Sequence, residues 1–327
     1  MAVLTGQQAG LFGGPLFTLL KALTALKLAE QVTAQHNVPA VAVFWVDAED
    51  HDWDEVRSCS VFDTALAARS VALPGRHAGD HAPVATVRLD GSVGAALDEL
   101  EQLLPPTEFT PALLADLRRA YTSGRGMAEA FGCWIERVLG DRGLIVYDAS
   151  DPAAKPLVSQ LFVSELSRPG DTARLAAAAG ADLVSRGYHS QVHTHDEGLA
   201  LFHLDGGRHA VKHQDGRFVV GERSFTPAAL IEQAASSPAS FSPNVLLRPV
   251  VQDTLFPTIC YVAGPNELAY LGQLRGIYER FGVPMPLMYP RASATLLDSA
   301  AMRFLAKYEM RSEEHTSELQ SPYVISY

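Results

Sequence analysis

AVLTGQQAGLFGGPLFTLLKALTALKLAEQVTAQHNVPAVAVFWVDAEDHD, residues 2–52, is the stretch whose reading decides the fold. AVLTG (2–6) reads as a short apolar strand and QQAGLFGG (7–14) as a glycine-rich turn. Pro15 then opens a helix, at a place where its missing N–H removes a donor that the first turn would leave unpaired. Leu16, Leu19, Leu20, Leu23 and Leu26 fall at i, i+3, i+4, i+7 and i+10 and so share one helix face, the face expected to be buried. VPAVAVFWV (38–46) is almost continuously apolar, as a parallel strand covered on both faces must be. Strand, helix and strand in about fifty residues make a βαβ unit.

Outward from this unit, GLIVYDAS (143–150) predicts another buried strand, and the apolar, proline-punctuated sequence after Ser242 supplies the elements that complete the domain. The expectation is an α/β protein with a Rossmann-like parallel sheet, built from residues 1–56, 125–185 and 240–300 with helices on both faces. Residues 57–124 and 188–238 read as insertions, the second broken by Asp-Gly and Gly-Gly as β-hairpins are. RSEEHTSELQSPYVISY (311–327) has no apolar periodicity and resembles the translation of a sequencing adapter. It is set aside as a non-native tail on a core of residues 1–310.

With 327 residues, 47% hydrophobic and 19% charged, the chain can bury a large core. No apolar run reaches the roughly eighteen residues of a membrane span and no signal peptide is visible, so no membrane partner and a cytoplasmic location are expected. The formal charge of −11 repels phosphate backbones, which argues against a nucleic-acid partner. Cys59, Cys133 and Cys260 form no C-x-x-C pair and read as reduced thiols.

Three segments carry more polar and glycine content than packing requires. In the first, Gly6, Gln7, Gln8, Gly10, Gly13 and Gly14 lie where a strand hands over to a helix. There, backbone N–H groups and the helix dipole can receive an anion, although a plain tight turn accounts for the same glycines. The spacing is neither a phosphate-binding P-loop nor G-x-G-x-x-G.

The second segment, Asp47-Ala48-Glu49-Asp50-His51-Asp52-Trp53-Asp54-Glu55, packs six carboxylates around one histidine at the end of a buried strand. Glu49, Asp50, His51 and Asp52 are its candidate catalytic residues, with a solvated acidic loop as the plain alternative. Glu49, His51 and Asp54 match no strong ligand spacing, and no metal is expected. Ligands of open α/β sheets bind beyond the carboxyl ends of the strands, so the first two segments should face one crevice.

The third runs from Asn244 to Glu267 and contributes Arg248, Gln252, Asp253, Gly264 and Glu267, joined later by Arg291. Its arginines, read as standing beside apolar strands, suit carboxylates or phosphates, or else form structural pairs with Asp253 and Glu267. His193 and His195 share a strand side but read better as hairpin surface.

In this order the strings TGQQAGLFGGP (5–15), FWVDAEDHD (44–52), NVLLRPVVQDTLFPT (244–258) and GPNE (264–267) resemble the cysteine-adding enzymes of bacillithiol biosynthesis, and the likeness extends through MPLMYPRAS (285–293). The resemblance implies a cysteine ligase that joins cysteine through its carboxyl group to the amine of glucosaminyl-malate. It further implies that the malate carboxylates meet the glycine turn, Lys21, Arg248 or Arg291. The ammonium meets Glu49–Asp52, with His51 or Asp52 as proton acceptor. Members also carry residues before the TGQQ turn and a C-terminal coiled coil that supports a homodimer, and neither is expected in this chain. Their fold is similar to that of class I aminoacyl-tRNA synthetases, which suggests ATP as the activating cofactor, yet neither the HIGH nor the KMSKS signature is present. Another amino-acid ligase or nucleotidylyl transferase of this fold, or a non-catalytic nucleotide or thiol-metabolite binding protein, stays open as an alternative.

Overall fold

A computed structural model of the chain describes residues 1–77, 81–193, 197–297 and 299–310. The adapter-like tail from 311 onward, and His195, lie outside the described residues. Residues 1–291 form one compact unit. The opening is β1 (Ala2–Gln8), α1 (Phe17–His36) and β2 (Val41–Asp47), followed by the short helix α2 (Trp53–Val56), the hairpin β3 (Ser58–Phe62) and β4 (Ala68–Ala72), and helices α3 (Ser92–Leu103), α4 (Thr110–Ala120) and α5 (Met127–Leu139). Then come β5 (Ile145–Asp148), α6 (Lys155–Ser167) and α7 (Asp171–Ser185). Four strands, β6 (Gly198–Leu204), β7 (Arg208–Gln214), β8 (Arg217–Val220) and β9 (Arg223–Phe225), precede α8 (Pro227–Ser236) and β10 (Phe241–Pro243). The unit closes with α9 (Arg248–Leu255), β11 (Thr258–Ala263), α10 (Pro265–Leu271), α11 (Arg275–Phe281) and β12 (Leu287–Pro290). A separate unit from residue 292 contains α12 (Ser299–Lys307).

The central sheet has the order β12-β11-β1-β2-β5, and every pairing in it is parallel. From β1 the chain first adds strands to one side, β2 and then β5, and later to the other, β11 and then β12. The direction of winding therefore reverses between β1 and β11, and a crevice opens there beyond the strand ends. Alternate residues of the buried strands serve opposite cores. Val3, Phe44 and Val46 pack with α1, α5 and the first insertion, whereas Leu4, Val43 and Trp45 pack with α6, α9, α11 and the second sheet. Gly6 is required at its place in β1, because a Cβ there would stand 2.8 Å from the Trp45 carbonyl oxygen.

The second insertion is an antiparallel sheet of order β10-β6-β7-β8-β9. It takes in β10, which lies past the boundary read at residue 238. Two other expectations are corrected. Along α1 the buried face is Thr18, Lys21, Ala22, Ala25, Leu26 and Ala29, while Leu16 and Leu23 are exposed. Small side chains let the helix lie close on the strands, and this close approach outweighs leucine spacing. The arginine at 248 stands at the start of a helix and not beside a strand: Asn244 Oδ1 accepts from the N–H groups of Leu246 (2.9 Å) and Leu247 (3.3 Å), and Pro249 occupies the first turn of α9.

Candidate functional site

The carboxyl ends of β1, β2 and β11 meet at the reversal point, and three polar groups assemble there. In the first, Lys21 reaches up from α1 and bridges β1 to α10. Its ammonium donates to the Gly6 carbonyl (2.8 Å) and to Gln7 Oε1 (3.0 Å) and pairs with Glu267 Oε2 at 2.5 Å. Glu267 also accepts from the Gly264 N–H (2.7 Å) and the Tyr261 hydroxyl (3.2 Å). Burial pulls the Lys21 ammonium below its usual range, Arg248 and Arg291 pull the same way, and Glu267 opposes them. Arg291 lies with its guanidinium 5.3 Å from the Phe17 ring centre. Lys21, Arg248 and Arg291 thus lie near one another around Glu267, and such a cluster of cations suits an anionic ligand.

The second group joins β2 to α9. Arg248 pairs with Asp47 and donates to the Tyr270 hydroxyl at 3.0 Å. Burial raises the Tyr270 hydroxyl above its usual value and so keeps it a donor.

The third group lies in the loop after β2. Gln8 donates to Asp50 Oδ2 (2.7 Å) and to Glu55 Oε2 (3.0 Å), while Asp50 Oδ1 accepts from the His51 N–H at 2.7 Å. Arg208, carried in by β7, stands 3.4 Å from Asp50 Oδ1 and 3.3 Å from His51 Nδ1. Burial, and after it Arg208, lowers the His51 pKa, which favours the neutral ring. The first insertion holds this loop from the other side, since the Val84 and Ala85 N–H groups donate to the Asp50 (2.7 Å) and Ala48 (2.8 Å) carbonyls. A cleft of about 880 Å³ runs from Asp47, Asp50 and Arg248 along the second sheet to His193 and Lys212.

The structure thus brings Gln7, Gln8, Lys21, Asp50, His51, Arg248, Gly264, Glu267 and Arg291 to one edge. It sends other expected site residues elsewhere. Gly10, Gly13 and Gly14 do not offer an anion cradle, because the turn closes on itself: Gly13 N–H donates to the Tyr121 hydroxyl (3.0 Å), which donates to the Gly10 carbonyl (2.9 Å), and Gly14 N–H donates to the Leu11 carbonyl (3.0 Å). Gly13 has φ 98° and no room for a Cβ against Trp134, so the glycines serve the turn. Glu49 turns away into a buried ion pair with Lys155. Asp52 caps α2, accepting from the Glu55 N–H at 3.2 Å. Among the described residues, no group of three His, Cys, Asp or Glu side chains converges as a metal would need.

Gln252 and Asp253 also leave the crevice. Gln252 is buried and donates to Asp253 Oδ1 (3.3 Å), and Asp253 Oδ2 accepts from the Tyr278 hydroxyl (2.5 Å). Thr258, at the amino end of β11, supports the same carboxyl group. Burial raises the Asp253 pKa to about 6, against about 3.9 in an unfolded chain. Between those values the folded state holds more protons, so stability falls as pH rises from about 4 to about 6 and stays lower above that. Asp253→Asn is expected to remove this slope. It should raise stability at pH 7.5 by up to about 3 kcal/mol with little change at pH 4; parallel urea curves for the two proteins at both pH values would refute it.

Sequence reasoning missed Arg208, Tyr261, Tyr270 and Lys155. Arg208 sits in RHAVKH (208–213), where nothing local separates it from an ordinary hairpin arginine.

A family profile described as "Bacillithiol biosynthesis BshC, N-terminal Rossmann-like domain" matches residues 1–292. Among curated proteins, one from Salinibacter ruber is 38% identical over 312 residues, covering 94% of this chain and 56% of that protein. One from Symbiobacterium thermophilum is 36% identical over 331 residues (96% and 59%), and one from Chlorobaculum tepidum is 37% identical over 313 residues (94% and 55%). All three bear the name "Putative cysteine ligase BshC". The chain spans little more than half the length of these relatives. With that parallel sheet, that reversal point and these matches, the chain belongs to the bacillithiol biosynthesis BshC family, and residues 1–292 are its N-terminal Rossmann-like domain.

Proposed function

We propose that this domain is the substrate-binding core of a bacillithiol-biosynthesis ligase that joins the carboxyl group of cysteine to the amine of glucosaminyl-malate. One observation carries the reading: a single edge of the sheet holds both signs of charge, with Asp47 and Asp50 next to Arg248 and Arg208, and Lys21 and Arg291 near Glu267. An acceptor that bears both an ammonium and carboxylates matches such an edge. Asp50 faces the ammonium, and the arginines and Lys21 face the carboxylates. The cleft, at about 880 Å³, lies within the range of small-ligand sites.

Amide formation in water needs an activated carboxyl group, and ATP is the proposed source of that activation. The cations Lys21, Arg248 and Arg291 suit its phosphates. The proposed enzyme acts in the cytoplasm as a homodimer, in keeping with the family's resemblance, and no helix among the described residues is long and apolar enough to cross a membrane. The test is mass-spectrometric product detection with the full-length enzyme, cysteine and glucosaminyl-malate, with and without ATP. Bacillithiol formed only with ATP supports the reading. No product under either condition overturns it, and product without ATP overturns the choice of nucleotide.

A further inference from the structure

The inserted sheet sends one side chain into the centre of the site, and its surroundings fix it there. Arg208 Nε donates to Ser242 Oγ (3.1 Å), Nη2 donates to the Pro243 carbonyl (2.9 Å), and the guanidinium lies 3.9 Å from the Phe202 ring centre. Its backbone N–H donates to the His81 carbonyl (3.0 Å), so both insertions hold it. The side chain is only 9% exposed. Nη1 remains, and it points between Asp50 Oδ1 and His51 Nδ1.

An arginine has five N–H donors and no acceptor, and it stays protonated at any pH a protein tolerates. A hydrogen bond between Arg208 Nη1 and His51 Nδ1 can therefore run in one direction only, with His51 accepting. A neutral imidazole that accepts at Nδ1 carries its proton at Nε2. The competing arrangement, with Nδ1–H toward Asp50, sets this N–H against the Arg208 Nη1 donor. The ring nitrogen stands 3.4 Å from Asp50 Oδ1, that oxygen already takes the His51 backbone N–H at 2.7 Å, and two donors would confront each other across 3.3 Å. Neutrality of the ring is consistent with its pKa, which burial lowers first; of the charged and titratable groups that face it, Arg208 and His81 lower it further, and Asp50 and Asp52 oppose the shift.

We propose that Arg208 is a positioning residue that fixes His51 as the Nε2–H tautomer, so that His51 carries at Nε2 a hydrogen-bond donor for a carboxyl or carbonyl oxygen and does not act as the base. His51 is thereby removed from the choice of proton acceptors, and Asp50 is left as the carboxylate beside the ammonium. The kinetic consequence rests on the proposed ligase reading, whereas the tautomer does not.

Long-range ¹H–¹⁵N correlation spectra of the ¹⁵N-labelled chain, with His51 assigned through His51→Gln, test the tautomer directly. The wild type is expected to show a neutral Nε2–H ring. Arg208→Ala should shift population toward Nδ1–H and move the ring's titration to higher pH. Arg208→Lys, which keeps a donor-only cation, should retain mostly Nε2–H. An Nδ1–H ring in the wild type overturns the proposal even if Arg208→Ala fails to fold, and so does an Arg208→Ala spectrum with His51 unchanged. In the full-length enzyme His51→Gln, whose amide can donate but cannot take a proton, should keep activity within about 10-fold of wild type while His51→Ala loses about 10²-fold. Equal losses in the two variants would contradict the donor role. An inactive wild-type enzyme that still shows Nε2–H would sink the proposed reaction and leave the positioning role supported.

Discussion

In the full-length enzyme Asp50→Asn is expected to lower kcat/KM by about 10³-fold while the protein stays folded, an effect in the range of lost acid–base or charge-pairing groups. Asp50 is the junction of the site: Oδ2 takes the Gln8 amide, and Oδ1 takes the His51 N–H and the charge of Arg208. Asparagine keeps the shape of the side chain. It deletes the negative charge that faces the acceptor ammonium and turns one acceptor into a donor against either Gln8 or Arg208. Steady-state kinetics with circular dichroism of both proteins measure the two halves of the expectation. A variant within about 5-fold of wild type would remove Asp50 from the chemistry.

The largest expected effect on stability lies one residue away. Glu49 and Lys155 are 5% and 4% exposed and form an ion pair with each other. Burial raises the Glu49 pKa, and Lys155 opposes that shift. Glu49→Ala leaves an ammonium buried over the Phe162 ring and should cost about 3–5 kcal/mol. Lys155→Ala should cost about the same, and Glu49→Leu combined with Lys155→Met should recover most of the loss, because removal of both charges leaves none unpaired. Chemical denaturation of the four proteins is the measurement. Additive losses in the double variant would show that the pair is not the unit that matters.

The contrast between Glu49 and Asp50 shows where sequence reading ends. The strand, the acidic loop and the crevice were legible because each is local: an apolar run buried on both faces, carboxylates at its exit, and ligand sites beyond the carboxyl ends of parallel strands. Which of two neighbouring carboxylates faces the cleft depends on Lys155, more than a hundred residues away. The glycine turn has the composition of an anion site, but its N–H groups are spent on its own carbonyls and on Tyr121, just past the end of α4. The segment from Arg248 to Asp253 reads as lying beside strands and folds as a helix. As the helix α9 it carries Asp253 about 7 Å along the axis, toward the amino end of β11. Arg208 lay hidden because an insertion acts here as part of the site.

The central claim, that one edge of the sheet receives a zwitterionic acceptor with its charges divided between Asp50 and the cationic cluster, is tested most directly by a crystal structure of the full-length enzyme with glucosaminyl-malate bound. The account predicts the ammonium within about 3 Å of Asp50 or Asp47 and at least one malate carboxylate at a similar distance from Arg208, Arg248, Lys21 or Arg291. A ligand bound away from these residues, or bound with its carboxylates toward Asp50, would contradict it.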